Sequence, residues 1–494
     1  MLNQAQLIAY VDRLPGGTFR DLTALVEGPL RGVVGGVHVL PFFRPIDGAD
    51  AGFDPIDHTQ VDGRLGTWDD VAALSSRTEV MADVIVNHVS RLSPRFIDFD
   101  RRGEDSPYAG LFLTFDRVFP EGARASDLLA LHTPRPTLPF TRHRTARGKD
   151  VLLWTTFTSH QIDIDVAHPE GQRYLAGVLD RFQTSGIRMI RLDAAGYAVK
   201  KAGTSCFMIP ETFAFIADFA VHARARGMEV LVEMHGHYQD HLALARRVDW
   251  VYDFALPPLV LHTLYARDAT ALTHWLGIRP TNVVTVLDTH DGIGVEEVDA
   301  ARGGRDLPGL LPRADIDALI DTIHRRSRGE THQASGHAAG NVDTSQINCT
   351  FRDALGGDAE YLVARAIQCF VPGIPQIYYV GLLAGRNDLD LLRRTGVGRD
   401  INRRHYTSDE LTQALSSPVV SALLGLLRLR NTHRAFGGDF EVLPAPPDRL
   451  TLAWRQGRDT ARLDVDLAGM SATVTGSDAE GAGAVAWRSA VEDA

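Results

Sequence analysis

The chain has 494 residues, of which 44% are hydrophobic and 23% charged, and its net charge is -11. This is the composition of an ordinary globular protein and excludes collagen-like and intrinsically disordered classes. The length exceeds what one hydrophobic core fills, so we expect a large domain with insertions and a smaller companion. The negative charge argues against nucleic-acid and anionic-membrane partners.

Cysteine usage and the N-terminus favour a cytoplasmic location. The three cysteines, Cys206, Cys349 and Cys369, make no disulfide framework or zinc motif, and we expect buried thiols. The first residues, MLNQAQLIAYVDRLPGG, lack the basic start and the apolar stretch of a signal peptide. No run of residues approaches the roughly 18 apolar positions needed to span a bilayer, so no membrane partner is expected.

Eight short apolar segments recur along the chain, with helical stretches such as 169–186 and 210–227 between several of them. Near-continuous hydrophobicity is typical of parallel strands covered on both faces. Eight strands alternating with helices predict an α/β fold, either a (β/α)8 TIM barrel or a doubly wound sheet, and the count favours the barrel. The predicted strands are 6–12, 36–43, 80–88, 187–194, 228–235, 249–254, 282–290 and 374–381.

Two long segments interrupt this alternation of strands and helices. Residues 89–168, rich in Pro, Arg and aromatic residues, follow the third strand, and residues 292–355, with Gly-rich pieces, follow the seventh. Loops of this length are usually functional, so we expect two inserted loop subdomains. Alternating strand-like pieces over 436–494 predict a small C-terminal antiparallel β domain, with a frayed acidic tail. The barrel itself is then expected to comprise residues 1–88, 169–291 and 356–435.

Polar residues collect at the C-terminal ends of four predicted strands. Since these ends converge on one mouth of a barrel, where catalytic groups collect, the residues there are candidates for a single active site. They are Asn87 with His88, Arg191 with Asp193, Glu233 with His235, and His290 with Asp291.

Three carboxylates, Asp193, Glu233 and Asp291, are embedded in apolar strand sequence. A carboxylate in such a place must be paired, hydrogen-bonded or functional, because burying an uncompensated charge is very costly. Glycosidic bond cleavage typically needs two carboxyl groups, and the third would orient the sugar. A structural ion-pair cluster with Arg191 and the nearby histidines is the alternative that spacing alone leaves open.

Four strings resemble the signature regions of the α-amylase superfamily: ADVIVNH (82–88), IRLDAAGY (190–197), LVEMH (231–235) and VLDTHDGIG (287–294). Longer segments resemble the sucrose phosphorylase family within it, and the similarity runs from near residue 6 to near residue 435. These segments are 41–70, 202–213, 251–262, 378–385 and 398–403. The resemblance implies a hexosyltransferase, a disaccharide phosphorylase that converts sucrose and phosphate reversibly to α-D-glucose 1-phosphate and fructose with retention.

The resemblance also implies catalytic roles. Asp193 would be the nucleophile that forms a β-glucosyl-enzyme ester, Glu233 the acid/base, and Asp291 the group that binds sugar hydroxyls as the ring flattens. Arg191 lies two residues from Asp193, on the same face of a strand, and we expect its charge to keep the nucleophile ionised.

A glucose pocket of carboxylate, amide, imidazole and aromatic side chains is implied by the same match. For Asp50 the alternative is a turn residue beside glycine, and for His88 a satisfied structural histidine. The implied pocket residues are Asp50, Phe53, His88, Gln161, Tyr197, His235 and His290.

The acceptor site is where this sequence departs from the family. The resemblance nominates the loop arginines Arg135, which follows a Pro134 of the sucrose type, and Arg399, since an arginine fork suits phosphate. The family's usual acceptor string DLYQ reads here Asp343, Thr344, Ser345 and Gln346, so a serine replaces the tyrosine. This leaves open a related phosphorylase acting on glucosylglycerate, glucosylglycerol or sucrose 6′-phosphate, or a transglucosidase or hydrolase of the superfamily.

The sequence also bears on metals, cofactors and partners. Asn87 matches a calcium ligand of many amylases, but the sucrose phosphorylase family is not known for needing calcium, so we expect no metal and no organic cofactor. The partners are expected to be an α-glucoside and inorganic phosphate, with a homodimer left open. A catalytically silent scaffold is disfavoured, because Asp193, Glu233 and Asp291 are all present. We also expect mobile acceptor loops, since one subsite must accept two different molecules.

Overall fold

The computed structural model describes residues 1–48, 50–135, 137–301, 307–335, 346–478 and 481–489. Eight parallel strands close into a barrel in which each strand pairs with its neighbours in the chain and β1 pairs with β8. All eight lie within the predicted segments except that the third begins one residue earlier, and the (β/α)8 barrel is confirmed. The strands are β1 (Gln6–Ala9), β2 (Gly36–Val39), β3 (Glu79–Ile85), β4 (Met189–Asp193), β5 (Glu229–Val232), β6 (Trp250–Asp253), β7 (Val283–Thr285) and β8 (Ile374–Tyr378).

Helices follow the strands and cover the barrel. The predicted helices end at Thr184 and Arg224, slightly early, because Gly186 and Gly227 take left-handed conformations with φ of +75° and +76°. Proline occupies the first turn of both, where its missing N–H costs nothing. The helices outside the inserted segments are Phe19–Glu27, Trp68–Ser75, Pro169–Thr184, Pro210–Arg224, Tyr238–Ala245, Leu256–Ala266, Thr270–Ile278, Asp358–Phe370, Tyr379–Leu382, Leu389–Thr395, Ser408–Ser416 and Pro418–Thr432.

The long segments carry their own small elements. Residues 89–168 include the helices Pro94–Arg102, Phe115–Val118 and Ala125–Ala130 and the antiparallel pair Phe140–Arg144 and Asp150–Trp154. A second antiparallel pair, His88–Ser90 with Gln161–Asp163, ties the ends of this segment to the mouth of the barrel. The described part of 292–355 holds the pair Ile293–Gly294 and Gln346–Ile347 and the helices Arg313–Arg326, Glu330–Gln333 and Phe351–Leu355. The exact subdomain boundaries stay predictions.

A five-stranded antiparallel sheet forms the C-terminal domain, as predicted. Its last strand, Gly481–Arg488, pairs with Ser471–Asp478, so the tail joins the sheet further along than expected. The remaining strands are Asp439–Leu443, Arg449–Gln456 and Asp459–Asp466.

The core surrounds the barrel and extends under the C-terminal sheet. Every position of β3 after Glu79 is buried, and the three cysteines are buried free thiols, as expected. Among the described residues no single helix is long and apolar enough to cross a membrane; only the bent pair Ser408–Ser416 and Pro418–Thr432 meets that criterion jointly.

Candidate active site

The three predicted carboxylates meet at the mouth of the barrel. Asp193 is the last residue of β4, Glu233 follows β5 directly, and Asp291 follows β7. Side-chain atoms of Glu233, His235 and Asp291 all lie within 4.8 Å of one another. The side chains of the three carboxylates are 9–13% exposed. The convergence predicted from four strand ends is therefore present.

Arg191 is the buried cation shared by this cluster. The register of β4 and β3 sets it beside Asp83, and its guanidinium contacts the carboxylate of Asp83 and that of Glu233. Its Nη1 lies 3.3 Å from Asp193 Oδ1, and its side chain is 2% exposed. One guanidinium thus faces three carboxylates, which leaves a net negative charge at the centre.

Burial and the neighbouring charges together set the pKa of Asp193. Burial, and then the charge of Glu233, raise the pKa of Asp193 well above its usual range, although Arg191 opposes the shift. Arg191 thus favours the ionised form of Asp193, as expected, but burial and the charge of Glu233 outweigh its effect. Glu233 lies close enough to Asp193 to act as its hydrogen-bond partner, and this contact raises the pKa of Asp193 further.

Direct contact within the pair also bears on stereochemistry. Inverting glycosidases keep their carboxyl groups about 6.5–9.5 Å apart to leave room for a water, whereas retaining ones bring them closer. Asp193 and Glu233 share a hydrogen bond, which leaves no space for an intervening water. The geometry fits a nucleophile and an acid/base of a retaining reaction.

Asp291 is held ionised beside the pair. Burial opposes its ionisation, but the charges of Arg399, Arg403 and His235 outweigh burial and lower the pKa of Asp291. Arg399 Nη1 lies 2.7 Å from Asp291 Oδ1, and His290 Nε2 lies 3.7 Å from the same oxygen. An anionic carboxylate here can bind sugar hydroxyls and stabilise positive charge that develops on a flattening ring.

The predicted glucose pocket is assembled around the backbone of Phe53. His88 Nε2 lies 2.9 Å from the Phe53 carbonyl oxygen, and the Gln161 amide donates to the same oxygen at 3.3 Å. Gln161 also lies 3.4 Å from Asp50 Oδ2. The Phe53 ring stacks on His290 at 4.7 Å with 6° between the planes. The structure therefore brings these five predicted residues together.

The contacts bear on the two alternatives for this pocket, a turn role for Asp50 and a structural role for His88. The Asp50 backbone N–H donates to Asp54 Oδ1 at 3.2 Å, which is a turn contact, while its side chain reaches Gln161. Burial is the main cause that lowers the pKa of His88 and of His290, so both imidazoles are neutral at pH 7. A neutral imidazole has one donor and one acceptor nitrogen and suits sugar hydroxyls.

Tyr197 belongs to an aromatic wall that the sequence only partly predicts. It ends the turn Ala195–Tyr197 after β4, and its ring packs 4.7 Å from Phe207 and 5.2 Å from Phe157. The chain turns sharply there because Ala194 adopts a left-handed conformation with φ of 54°. Phe157 and Phe207 were missed, and no local pattern distinguishes them from core aromatics.

Lys200 is a second side chain that sequence reasoning missed. It is 1% exposed, and its ammonium contacts the Tyr197 carbonyl oxygen, Asn87 Oδ1 at 2.7 Å and Asp163 Oδ2 at 2.8 Å. Three separate segments of the chain are thus joined by one cation. Asn87, matched above to a calcium ligand of amylases, here accepts a hydrogen bond from this ammonium group.

His235, predicted for the glucose pocket, lies on the acceptor side, beside the predicted acceptor residues Gln346 and Arg399. Gln346 lies 3.4 Å from each of the other two, through its amide nitrogen to His235 Nε2 and its oxygen to Arg399. Arg135 is half-buried in a loop of the segment 89–168, and its role stays a prediction. Asp343, Thr344 and Ser345 lie outside the described residues.

His235 differs from the other site histidines in its charge. Burial alone would lower its pKa, but a hydrogen bond to Glu297 and the charges of Glu297, Glu233 and Asp291 raise it to about 9. Among the described residues, Glu233, His235 and Asp291 are the one group spaced to hold a metal ion. Arg191, Arg399 and the imidazolium already neutralise these carboxylates, so the cluster fits sugar chemistry better than a cation.

Comparisons with known proteins agree with this site. A family description, "Alpha amylase, catalytic domain", matches residues 32–246. A protein named sucrose phosphorylase from Agrobacterium vitis is 57% identical over 97% of this chain and 98% of its own length. A protein of the same name from Bifidobacterium adolescentis is 49% identical over 94% of this chain and 92% of its own length.

A solved structure extends the match to three dimensions. The sucrose 6F-phosphate phosphorylase from Thermoanaerobacter thermosaccharolyticum superimposes with a TM-score of 0.90 at 36% identity, covering 98% of this chain and 97% of that one. The match thus includes the barrel, the inserted segments and the C-terminal sheet. The chain belongs to the family of sucrose phosphorylases and related glucoside phosphorylases within the α-amylase superfamily.

Proposed function

We propose that this chain is a sucrose phosphorylase that converts sucrose and phosphate reversibly to α-D-glucose 1-phosphate and fructose. The observation that carries the proposal is the hydrogen-bonded pair of Asp193 and Glu233 beside an acceptor side that presents Arg399. The full-length similarity to proteins named sucrose phosphorylase supports the choice of donor.

In the first half-reaction Asp193 attacks the anomeric carbon of the glucosyl group. The bond from that carbon to the fructose oxygen breaks as the Asp193 ester forms, and Glu233 gives the leaving oxygen its proton. A pyranose lying over Asp193 separates the two carboxyl groups, and Asp193 must be ionised for the attack while Glu233 acts as the acid. Asp291 remains an anion and binds sugar hydroxyls more strongly as the ring flattens.

In the second half-reaction phosphate takes the place of fructose. A phosphate oxygen attacks the anomeric carbon, Glu233 removes the phosphate proton, and the ester bond breaks to restore the Asp193 carboxylate. Two inversions at one carbon give net retention. Arg399, which contacts Asp291 and Gln346 here, supplies charged N–H donors at the acceptor side for the phosphate oxygens.

A second candidate concerns the acceptor alone. Ser345 stands where the family usually has tyrosine, which removes an aromatic surface from the acceptor string. The same catalytic pair could then serve a glucoside of glycerate, of glycerol or of fructose 6-phosphate. A transglucosidase or hydrolase is disfavoured, because Arg399 beside Asp291 suits an anionic acceptor better than water.

The experiment that tests the proposal measures α-glucose 1-phosphate released in phosphate buffer. Sucrose, sucrose 6′-phosphate, glucosylglycerol and glucosylglycerate are compared as donors, with Asp193→Asn as the inactive control. The highest kcat/KM for sucrose supports the proposal, and a higher value for another donor selects the second candidate. Accumulation of free glucose without glucose 1-phosphate would overturn the phosphorylase assignment.

Location and assembly belong to the proposal as well. Three buried free cysteines support a cytoplasmic location, because a reducing compartment keeps thiols unpaired. A homodimer stays open. Gel filtration with light scattering measures the mass directly and separates a 54.1 kDa monomer from a dimer.

A further inference from the structure

Glu297 is a buried carboxylate that the proposed chemistry does not use. It lies just beyond the strand Ile293–Gly294, and its side chain is 1% exposed. Its Oε1 lies 2.8 Å from His235 Nδ1, whereas its Oε2 is buried with no hydrogen-bond partner among the described residues. A Cβ at Gly294 would come within 2.7 Å of Oε2, so glycine leaves the room that this carboxylate occupies.

Two contacts fix the ring of His235. Its face stacks on Phe254 at 4.4 Å with 12° between the planes, and its Nδ1 is bound to Glu297. These contacts leave Nε2 pointing into the site, 3.8 Å from Glu233 Oε1 and 3.4 Å from the Gln346 amide nitrogen. His235 therefore faces the acid/base directly, on the acceptor side.

We propose, on the basis of the proposed phosphorolysis, that Glu297 is a positioning residue which keeps His235 a cation aimed at an anionic acceptor. With Nδ1–H donating to Glu297, a protonated Nε2 has its N–H directed toward Glu233 and the incoming phosphate. The Gln346 amide can donate to Nε2 only when that nitrogen is unprotonated. In the charged ring the amide group does not donate to Nε2, and the Nε2–H donor stays available to the substrate. His235 and Arg399 then give the acceptor side two cations.

The charges around His235 are mixed, and the carboxylates outweigh both burial and the nearby cations. Glu297, Glu233 and Asp291 raise its pKa, whereas Arg191 on Glu233, Arg399 on Asp291 and, when protonated, His241 of the helix Tyr238–Ala245 act in the opposite direction. Burial and nearby His235 are among the causes that lower the pKa of His241, which therefore stays neutral. Near pH 7 the net field on His235 is that of carboxylates.

The decisive variant is Glu297→Gln, which keeps the shape of the side chain and an oxygen for Nδ1–H but removes the charge. We expect KM for phosphate to rise about tenfold, since a hydrogen bond to a charged group is worth about 1.5 kcal/mol, while KM for sucrose changes little. The alkaline limb of the phosphate reaction should move to lower pH, because the cation exists only below the pKa of His235. Glu297→Asp keeps the negative charge, so its phosphate KM and its alkaline limb should lie between those of the unaltered enzyme and of Glu297→Gln.

Two controls separate this inference from misfolding and from the proposed function. Glu296→Gln makes the same change one residue away, at a partly exposed side chain, and should leave the phosphate KM and the pH profile in place. If the unaltered enzyme makes no glucose 1-phosphate from any glucoside, the proposed function fails. If that enzyme is active but a folded Glu297→Gln variant, checked by its melting temperature, keeps the original phosphate KM and alkaline limb, the positioning role is overturned.

Discussion

The glucose side and the acceptor side of one active site are built differently. On the glucose side, His88 and Gln161 are 2% and 1% exposed and share the carbonyl oxygen of Phe53. On the acceptor side, the side chains of His235 and Arg399 are 28% and 24% exposed, and Gln346 lies between them. The glucosyl group stays through both proposed half-reactions, whereas the acceptor changes from fructose to phosphate. Fixed, buried groups suit the constant ligand, and longer, more exposed side chains suit the variable one.

The substitution with the largest expected effect abolishes catalysis, whichever donor or acceptor is used. Asp193→Asn removes the nucleophile, so we expect kcat with every donor and acceptor to fall by about 10⁴-fold or more. Asp218→Asn, at an exposed helical position, is the matched control and should retain full activity. Substantial residual activity of a folded Asp193→Asn variant would contradict the assignment of the nucleophile.

Lys200→Met tests the glucose side. It leaves Asp163 buried without its cation, and we expect the free energy of unfolding to fall by about 3 kcal/mol, measured by urea denaturation. Because Asn87 and Tyr197 lose the same contact, KM for the glucoside should rise while KM for phosphate stays nearly constant. The adjacent Lys201→Met, at an exposed lysine paired with Glu211, should change neither quantity.

Arg399→Lys tests the acceptor side with the charge preserved. Lysine cannot reproduce the planar fork that meets Asp291 and Gln346, so KM for phosphate should rise about tenfold, by initial-rate kinetics. Arg393→Lys alters an exposed arginine of the preceding helix and provides the baseline. Equal increases in KM for the glucoside donor and for phosphate would show that Arg399 does not act on the acceptor side alone.

The smallest expected effect belongs to Ser345, one of the two departures from the family string, the other being Thr344. Ser345→Tyr restores the usual aromatic residue, and we expect the ratio of kcat/KM for sucrose to that for glucosylglycerol to rise about threefold, the worth of one aromatic contact. Ser345→Thr retains the hydroxyl without the ring and should leave the ratio unchanged. A ratio that falls in the tyrosine variant would favour the second candidate acceptor.

Particular residues show how far sequence reasoning reached. Asp193, Glu233 and Asp291 were found because each ends an apolar run, and burial of charge marks such positions. Arg191 was found by its spacing, and it does lower the pKa of Asp193. Spacing along β4 does not reveal that Asp83 and Glu233 share the same guanidinium, nor that burial and Glu233 outweigh it. Lys200 and Glu297 were missed, because their side-chain partners, Asn87 and Asp163 for Lys200 and His235 for Glu297, are more than 30 residues away in sequence.

The sequence by itself determined the barrel, its order of strands and the chemical types at the mouth. Hydrophobic periodicity and strand-end polarity are local properties, and parallel strands bring those ends together in only one way. The tertiary structure alone decided which groups carry charge. Asp193 takes a raised pKa and Asp291 a lowered one, although both end similar strands, because a pKa depends on burial and on charges gathered from distant segments.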